Sequence, residues 1–212
     1  MNTIEFFPYP MLMSLFTLWL LLTIIWKRKR RPAYLICFSL FFCYLVAALG
    51  FVFFPIGLPR DWPGNISLQS TLWTLSHVNL FPFNFGYLFS NNATTIFEQL
   101  AGNILLTMPF GFGLPFLVSI SVRRMLWLAL FSGVALEATQ LVFELIGILS
   151  NYGHSIDIND ALLNTAGVMV GYGLFCIFVW LYLGLILHFH ISPKGFFEYA
   201  REMATSAKNE KN

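Results

Sequence analysis

Glu137, Gln140 and Glu144 stand three and four residues apart within one long apolar run. On a helix they share a face about 60° wide, stacked a turn apart. Asp157, Asp160 and Asn164 follow at the head of the next apolar run, and Asn103 lies within an earlier one. Carboxylates so placed can act as acid and base, or accept from the amines and hydroxyls of a bound headgroup. An ionisable group inside a membrane costs on the order of several kcal/mol unless paired or hydrated, so each one asks for a function. No nucleophile motif, phosphate-binding glycine loop or metal-ligand spacing accompanies them, and no cofactor or metal is expected.

The same residues have plainer uses. Asn103, Gln140 and Asn164 are suited to hydrogen bonds between helices. Asp157 or Asp160 can cap the exposed N–H groups of the helix that begins there. His154, alone in a connecting loop, reads equally well as a surface residue. Glu137 is hardest to assign to structure alone, since it lies deepest and has no cation on its own helix.

The elements that must carry these groups are apolar helices. Hydrophobic residues make up 58% of 212 positions and charged ones 10%, against about 25% charged in a soluble domain. Runs of about 20 apolar residues span a bilayer core. Five stretches qualify: 9–26, 33–54, 96–120, 125–148 and 161–188. The expected fold is an all-α integral membrane protein, a bundle of about five transmembrane helices. It divides into two N-terminal helices (1–54), an aromatic-rich outer loop (55–95), a three-helix core (96–188) and a flexible cytoplasmic tail (189–212).

Charge gives direction. Of twelve Lys and Arg residues, five occupy Lys27–Arg31, two are Arg123 and Arg124, and four (Lys194, Arg201, Lys208 and Lys211) follow the last apolar run. Cytoplasmic loops retain such residues, so the N-terminus is expected outside and the C-terminus inside. Only Arg60 falls on the outer side. The first apolar run precedes its basic cluster, the reverse of a cleavable signal. Cys37, Cys43 and Cys176 sit inside apolar runs and read as small hydrophobes, with no disulfide framework. Asn65-Ile-Ser and Asn92-Ala-Thr match the glycosylation pattern, a short and common motif.

Two segments face outside in this scheme. The 55–95 loop carries seven aromatics, Trp62, Trp73, Phe81, Phe83, Phe85, Tyr87 and Phe89, of which Trp and Tyr favour the headgroup zone, and Ile66, Leu68, Leu72 and Leu75 could form a short interfacial helix. The second, 149–160, is short and polar. Pro109, Gly111, Gly113 and Pro115 predict a bent or broken third crossing. Asp160, Asn164, Gly167 and Gly171 share one face of the fifth, whose small residues allow a close helix contact. Crossings three, four and five are expected to enclose a polar pocket open outward, with Asn79, Asn103, Glu137, Gln140, Glu144, His154, Asp157, Asp160 and Asn164 as its ligand-binding residues.

Four segments in order, Asn79-Leu-Phe-Pro-Phe83, Gly102-Asn103-Ile-Leu-Leu-Thr-Met-Pro109-Phe-Gly111, Glu137-Ala-Thr-Gln140 and Asp157-Ile-Asn-Asp160-Ala-Leu-Leu-Asn164-Thr-Ala-Gly167, resemble the VanZ-like family of bacterial membrane proteins. The resemblance covers about 78–172. It implies a multi-pass plasma-membrane protein of the Gram-positive cell envelope, related to low-level resistance to teicoplanin without replacement of the wall precursor. The family pattern carries Arg at the position of His154 and Asp at that of Asn159. Loss of that Arg removes a fixed cation near the carboxylates, and imidazole is a poor substitute at neutral pH.

Three functions compete. The first is binding or remodelling, without catalysis, of an outer-leaflet lipid or lipid-linked wall component, with a teicoplanin-type lipoglycopeptide as a further partner and no nucleic acid. The second is an enzyme acting on an envelope lipid, with Glu137 and Asp160 as acid and base. Transport ranks third, since five crossings without a repeat fit the common transporter architectures poorly.

Overall fold

The computed structural model describes residues 3–6, 9–26, 31–53, 56–59, 66–84, 93–147 and 157–209. Long helices dominate: α1 (Tyr9–Trp26), α2 (Pro32–Phe53), α4 (Ala93–Gly113), α5 (Val122–Leu145) and α6 (Ile158–Phe189), with a short α3 (Leu68–Ser76) and a terminal α7 (Phe196–Asn209). Among the described residues, three helices are long and apolar enough to cross a membrane: α2, α5 and α6.

The helices run back and forth between two ends of the bundle. At one end, Thr3–Phe6 (β1) pairs antiparallel with Ile56–Pro59 (β2), so the start of α1 and the finish of α2 are tied together. Nothing in the apolar pattern announces this ribbon. Along the hairpin, Phe16 stacks on Phe42 at 4.9 Å and Trp19 on Phe42 at 3.7 Å between ring centres. The finish of α2 meets the end of α5 there, Phe53 lying 5.3 Å from Phe143 between ring centres, and the turn at residues 79–84 is bridged to the head of α6 through Asn79 and Asp157. The opposite, basic end holds Arg31, Arg123, Arg124, Lys194 and Arg201.

The tightest seam is between α4 and α6, and glycine makes it. A Cβ at Gly111 would run into the Val168 carbonyl, and one at Gly171 into that of Met108. The small-residue stripe therefore does what its spacing predicts, letting two backbones approach. Towards the basic end, Met125, Ala129, Val168, Tyr172 and Phe175 form the buried core.

One expectation is narrowed and one needs correction. Helix α4 runs through Pro109 to Gly113, and the break in the third crossing comes after it, at a 3-10 turn over Leu114–Phe116. The Tyr44 hydroxyl supports it by donating to the Leu106 carbonyl at 2.7 Å. A side chain thus stands in a ladder that proline weakens. Residues 196–209, expected as flexible tail, form α7 instead. Tyr199, Ala200 and Ala204 bury one face of it, the Tyr199 hydroxyl donates to the Phe116 carbonyl, and Arg31 Nη1 donates to both Glu202 oxygens at 2.6 and 2.7 Å. The carboxylate beside it raises the Arg31 guanidinium pKa further.

Candidate functional site

Asp157 caps α6 through Oδ1, which accepts from the Asn159 N–H at 2.8 Å. The same oxygen accepts from the Asn79 side-chain amide at 2.9 Å, and the Asn79 carbonyl accepts from the Ile158 N–H at 2.9 Å. Asn159, one position on, repeats the arrangement. Its Oδ1 accepts from the Phe83 N–H at 2.6 Å, and its amide donates to the Asn84 carbonyl at 3.2 Å. The turn at residues 79–84 is thereby stitched to the first turn of α6. Asp157 and Asn159 are fully buried, whereas Leu80, Phe81 and Phe83 stand exposed around them.

Below this staple, α4, α5 and α6 converge. Asn103 donates to Asp160 Oδ1 at 2.6 Å. One turn deeper, the Thr107 hydroxyl donates to the Asn164 carbonyl at 2.8 Å. From α5, Glu137 Oε2 accepts from the Asp157 N–H at 3.4 Å, and Glu137 lies within electrostatic range of both Asp160 and Asp157. Three carboxylates therefore meet at the ribbon end, where the described residues include no Lys or Arg. Two buried oxygens in this region, Asp157 Oδ2 and Asn164 Oδ1, have no hydrogen-bond partner among the described residues. Buried acceptors are normally satisfied, so these two stand out.

Of the residues expected to line a pocket, Asn79, Asn103, Glu137, Asp157, Asp160 and Asn164 come together. Gln140, half-buried a turn along α5, makes no hydrogen bond among the described residues. Glu144 faces elsewhere, into a groove of about 360 Å³ between α3 and the end of α5, with Ser67, Ser70, Trp73 and Thr74 opposite. His154 lies outside the described residues, as do Trp62, Phe85, Tyr87 and Phe89. Asn159 joins the site although the sequence marks it only as a departure from the family pattern. Thr107, one helical turn after Asn103 on the same polar side of α4, joins it too, although it is not among the expected ligand-binding residues.

No group of three or more His, Cys, Asp or Glu among the described residues could hold a metal ion. The arrangement can instead take up hydrogen-bond donors and positive charge from its partly open side, where Asn103, Glu137 and Asp160 are only half-buried.

Long apolar helices packed around a polar knot at one end define a helical membrane protein. A family model described as VanZ/LLP1 matches residues 41–180, about two thirds of the chain and the whole of the site. The chain belongs to the VanZ-like family. Comparison with curated proteins and with solved structures finds no match to either.

Proposed function

We propose that this is a VanZ-type protein of the bacterial cell envelope, crossing the plasma membrane five times on α1, α2, α4, α5 and α6 with its N-terminus outside. In this reading it holds an outer-leaflet lipid or lipid-linked wall polymer at the Asn103–Glu137–Asp160 cluster and so blunts a lipoglycopeptide of the teicoplanin type. The convergence of three carboxylates beneath an exposed aromatic turn carries the reading, because an amphipathic ligand needs both surfaces. The gathering of Lys and Arg at the opposite end supports the orientation.

The test compares inhibitory concentrations of teicoplanin and vancomycin in a susceptible Gram-positive host, with and without this chain. An equally abundant Asp160→Ala variant is the control. The expected result is a rise for teicoplanin alone, abolished by the substitution. No rise with correctly inserted protein would set the resistance role aside. Orientation is tested separately by single Leu80→Cys and Thr205→Cys variants in a cysteine-free background. An impermeant reagent should label position 80 only.

The meeting of Glu137 with Asp157 and Asp160 also favours a second reading, an enzyme of envelope lipids in which Glu137 and Asp160 exchange a proton with substrate. It requires turnover of a purified lipid that Glu137→Gln abolishes while the fold persists. Binding without turnover would exclude it.

A further inference from the structure

We infer that the Glu137–Asp157–Asp160 cluster receives a primary ammonium group carried by a lipid headgroup, which names the ligand chemistry of the reading above and rests on it. The cluster is rich in acceptors and short of donors. Asn79 and Asn103 each supply a neutral amide hydrogen to one carboxylate oxygen, at 2.9 and 2.6 Å, the Asn159 N–H supplies one to Asp157 at 2.8 Å, and the Asp157 N–H supplies a long bond to Glu137. Asp157 Oδ2 and Asn164 Oδ1 receive nothing from the described residues.

Those two acceptors belong to residues that are 0% and 4% exposed. Asn164 stands one turn after Asp160 on α6, and helical side chains tilt towards the N-terminus, which carries its amide towards the carboxylates. Several uncompensated acceptors around three acidic groups call for a species that brings both hydrogens and positive charge.

The described Lys and Arg residues cannot provide it, since they gather at the basic end. His77, at the ribbon end, is an exposed residue bonded to the Trp73 carbonyl and Ser76. A proton on one carboxylate would satisfy one acceptor and leave the others bare. A bare metal ion needs its ligands drawn tightly around it, and no such set is formed among the described residues. An ammonium group offers three hydrogens in divergent directions, and so can bond several oxygens at once.

The test uses full-length protein in nanodiscs of phosphatidylglycerol doped with phosphatidylethanolamine or with its N-acetylated form, which keeps the chains and loses the charge. Retained lipid is read by native mass spectrometry, and stability by thermal unfolding. Phosphatidylethanolamine should be retained over the N-acetylated lipid by at least about tenfold. Glu137→Gln and Asp160→Asn should erase that preference. If both variants misfold, the wild-type comparison between the two lipids decides alone.

Equal retention of both lipids would overturn the ammonium assignment and leave lipid binding intact. Retention of neither would remove the binding reading and this inference together. Stabilisation by NaCl or KCl in place of phosphatidylethanolamine would overturn it in favour of an inorganic cation. Competition by free ethanolamine would support the ammonium chemistry, and greater retention of the lipid would assign its source to the bilayer.

Discussion

Asn79 and Asp157 are bonded to each other's neighbourhood twice. The Asn79 side-chain amide donates to Asp157 Oδ1, and its backbone carbonyl accepts from the N–H just after Asp157, both at 2.9 Å. One residue thus fixes a turn from outside the three-helix core to the first N–H groups of α6. A buried carboxylate is held with a neutral donor where an ion pair would be the usual solution.

Asn79→Ala should therefore cost about 1–3 kcal/mol, because it leaves a fully buried carboxylate without one of its donors. Thermal unfolding in detergent measures the loss. Hydrogen exchange should show faster opening of the Phe83 amide, which depends on the same turn.

Gly171→Ala should destabilise by about 1–3 kcal/mol, since the new methyl meets the Met108 carbonyl across the α4–α6 seam. Gly173→Ala, two positions away, meets nothing within 4 Å. Better helix propensity should make that change neutral or stabilising by up to about 1 kcal/mol. Equal behaviour of the two variants in unfolding experiments would contradict the close approach.

Tyr44→Phe removes the hydroxyl that donates to the Leu106 carbonyl beside Pro109. A loss of about 0.5–1.5 kcal/mol is expected, with faster exchange of the Phe110 amide. Unchanged exchange would show that α4 needs no support at its proline.

The docking of α7 should weaken at high pH. Burial, with smaller contributions from Cys37, Tyr34 and Glu202, raises the Tyr199 phenol from 10.0 to about 12. A neutral ring is therefore favoured in the docked state. Its contribution is complete below pH 10 and declines as pH rises through about 12. Hydrogen exchange of α7 across that window should accelerate in wild type, with a shallower dependence in Tyr199→Phe.

The helices were legible because length and apolarity alone set them: Tyr9–Trp26 is helical over the residues its composition marks, and α6 starts within three residues of the expected Ala161. The stripe from Asp160 to Gly171 was legible for the same reason, a fixed helical period. Asn159 was not. Its partner is a backbone N–H 76 positions away, supplied by a turn whose path no local pattern dictates. Glu144 shares a helix face with Glu137 and was grouped with it. Yet Glu137 meets the start of α6, and α5 continues another eight residues, roughly 12 Å, before it ends. That overhang carries Glu144 to α3. Helix α7 was missed because a short charged segment reads as tail until its alternate face is seen to meet Phe116 and Arg31.

The pairing of Arg31 with Glu202 joins positions 171 residues apart. Translation releases α7 after every helix it touches, so the contacts of Tyr199 and Glu202 cannot guide the insertion of α2 or α4. They form late, when the rest of the bundle is already in place. Chains arrested before residue 196 would carry an inserted bundle with Phe116 uncovered, and limited proteolysis of such chains should cut near that turn. The last helix acts as a latch on a finished assembly, and the order of synthesis decides when it closes.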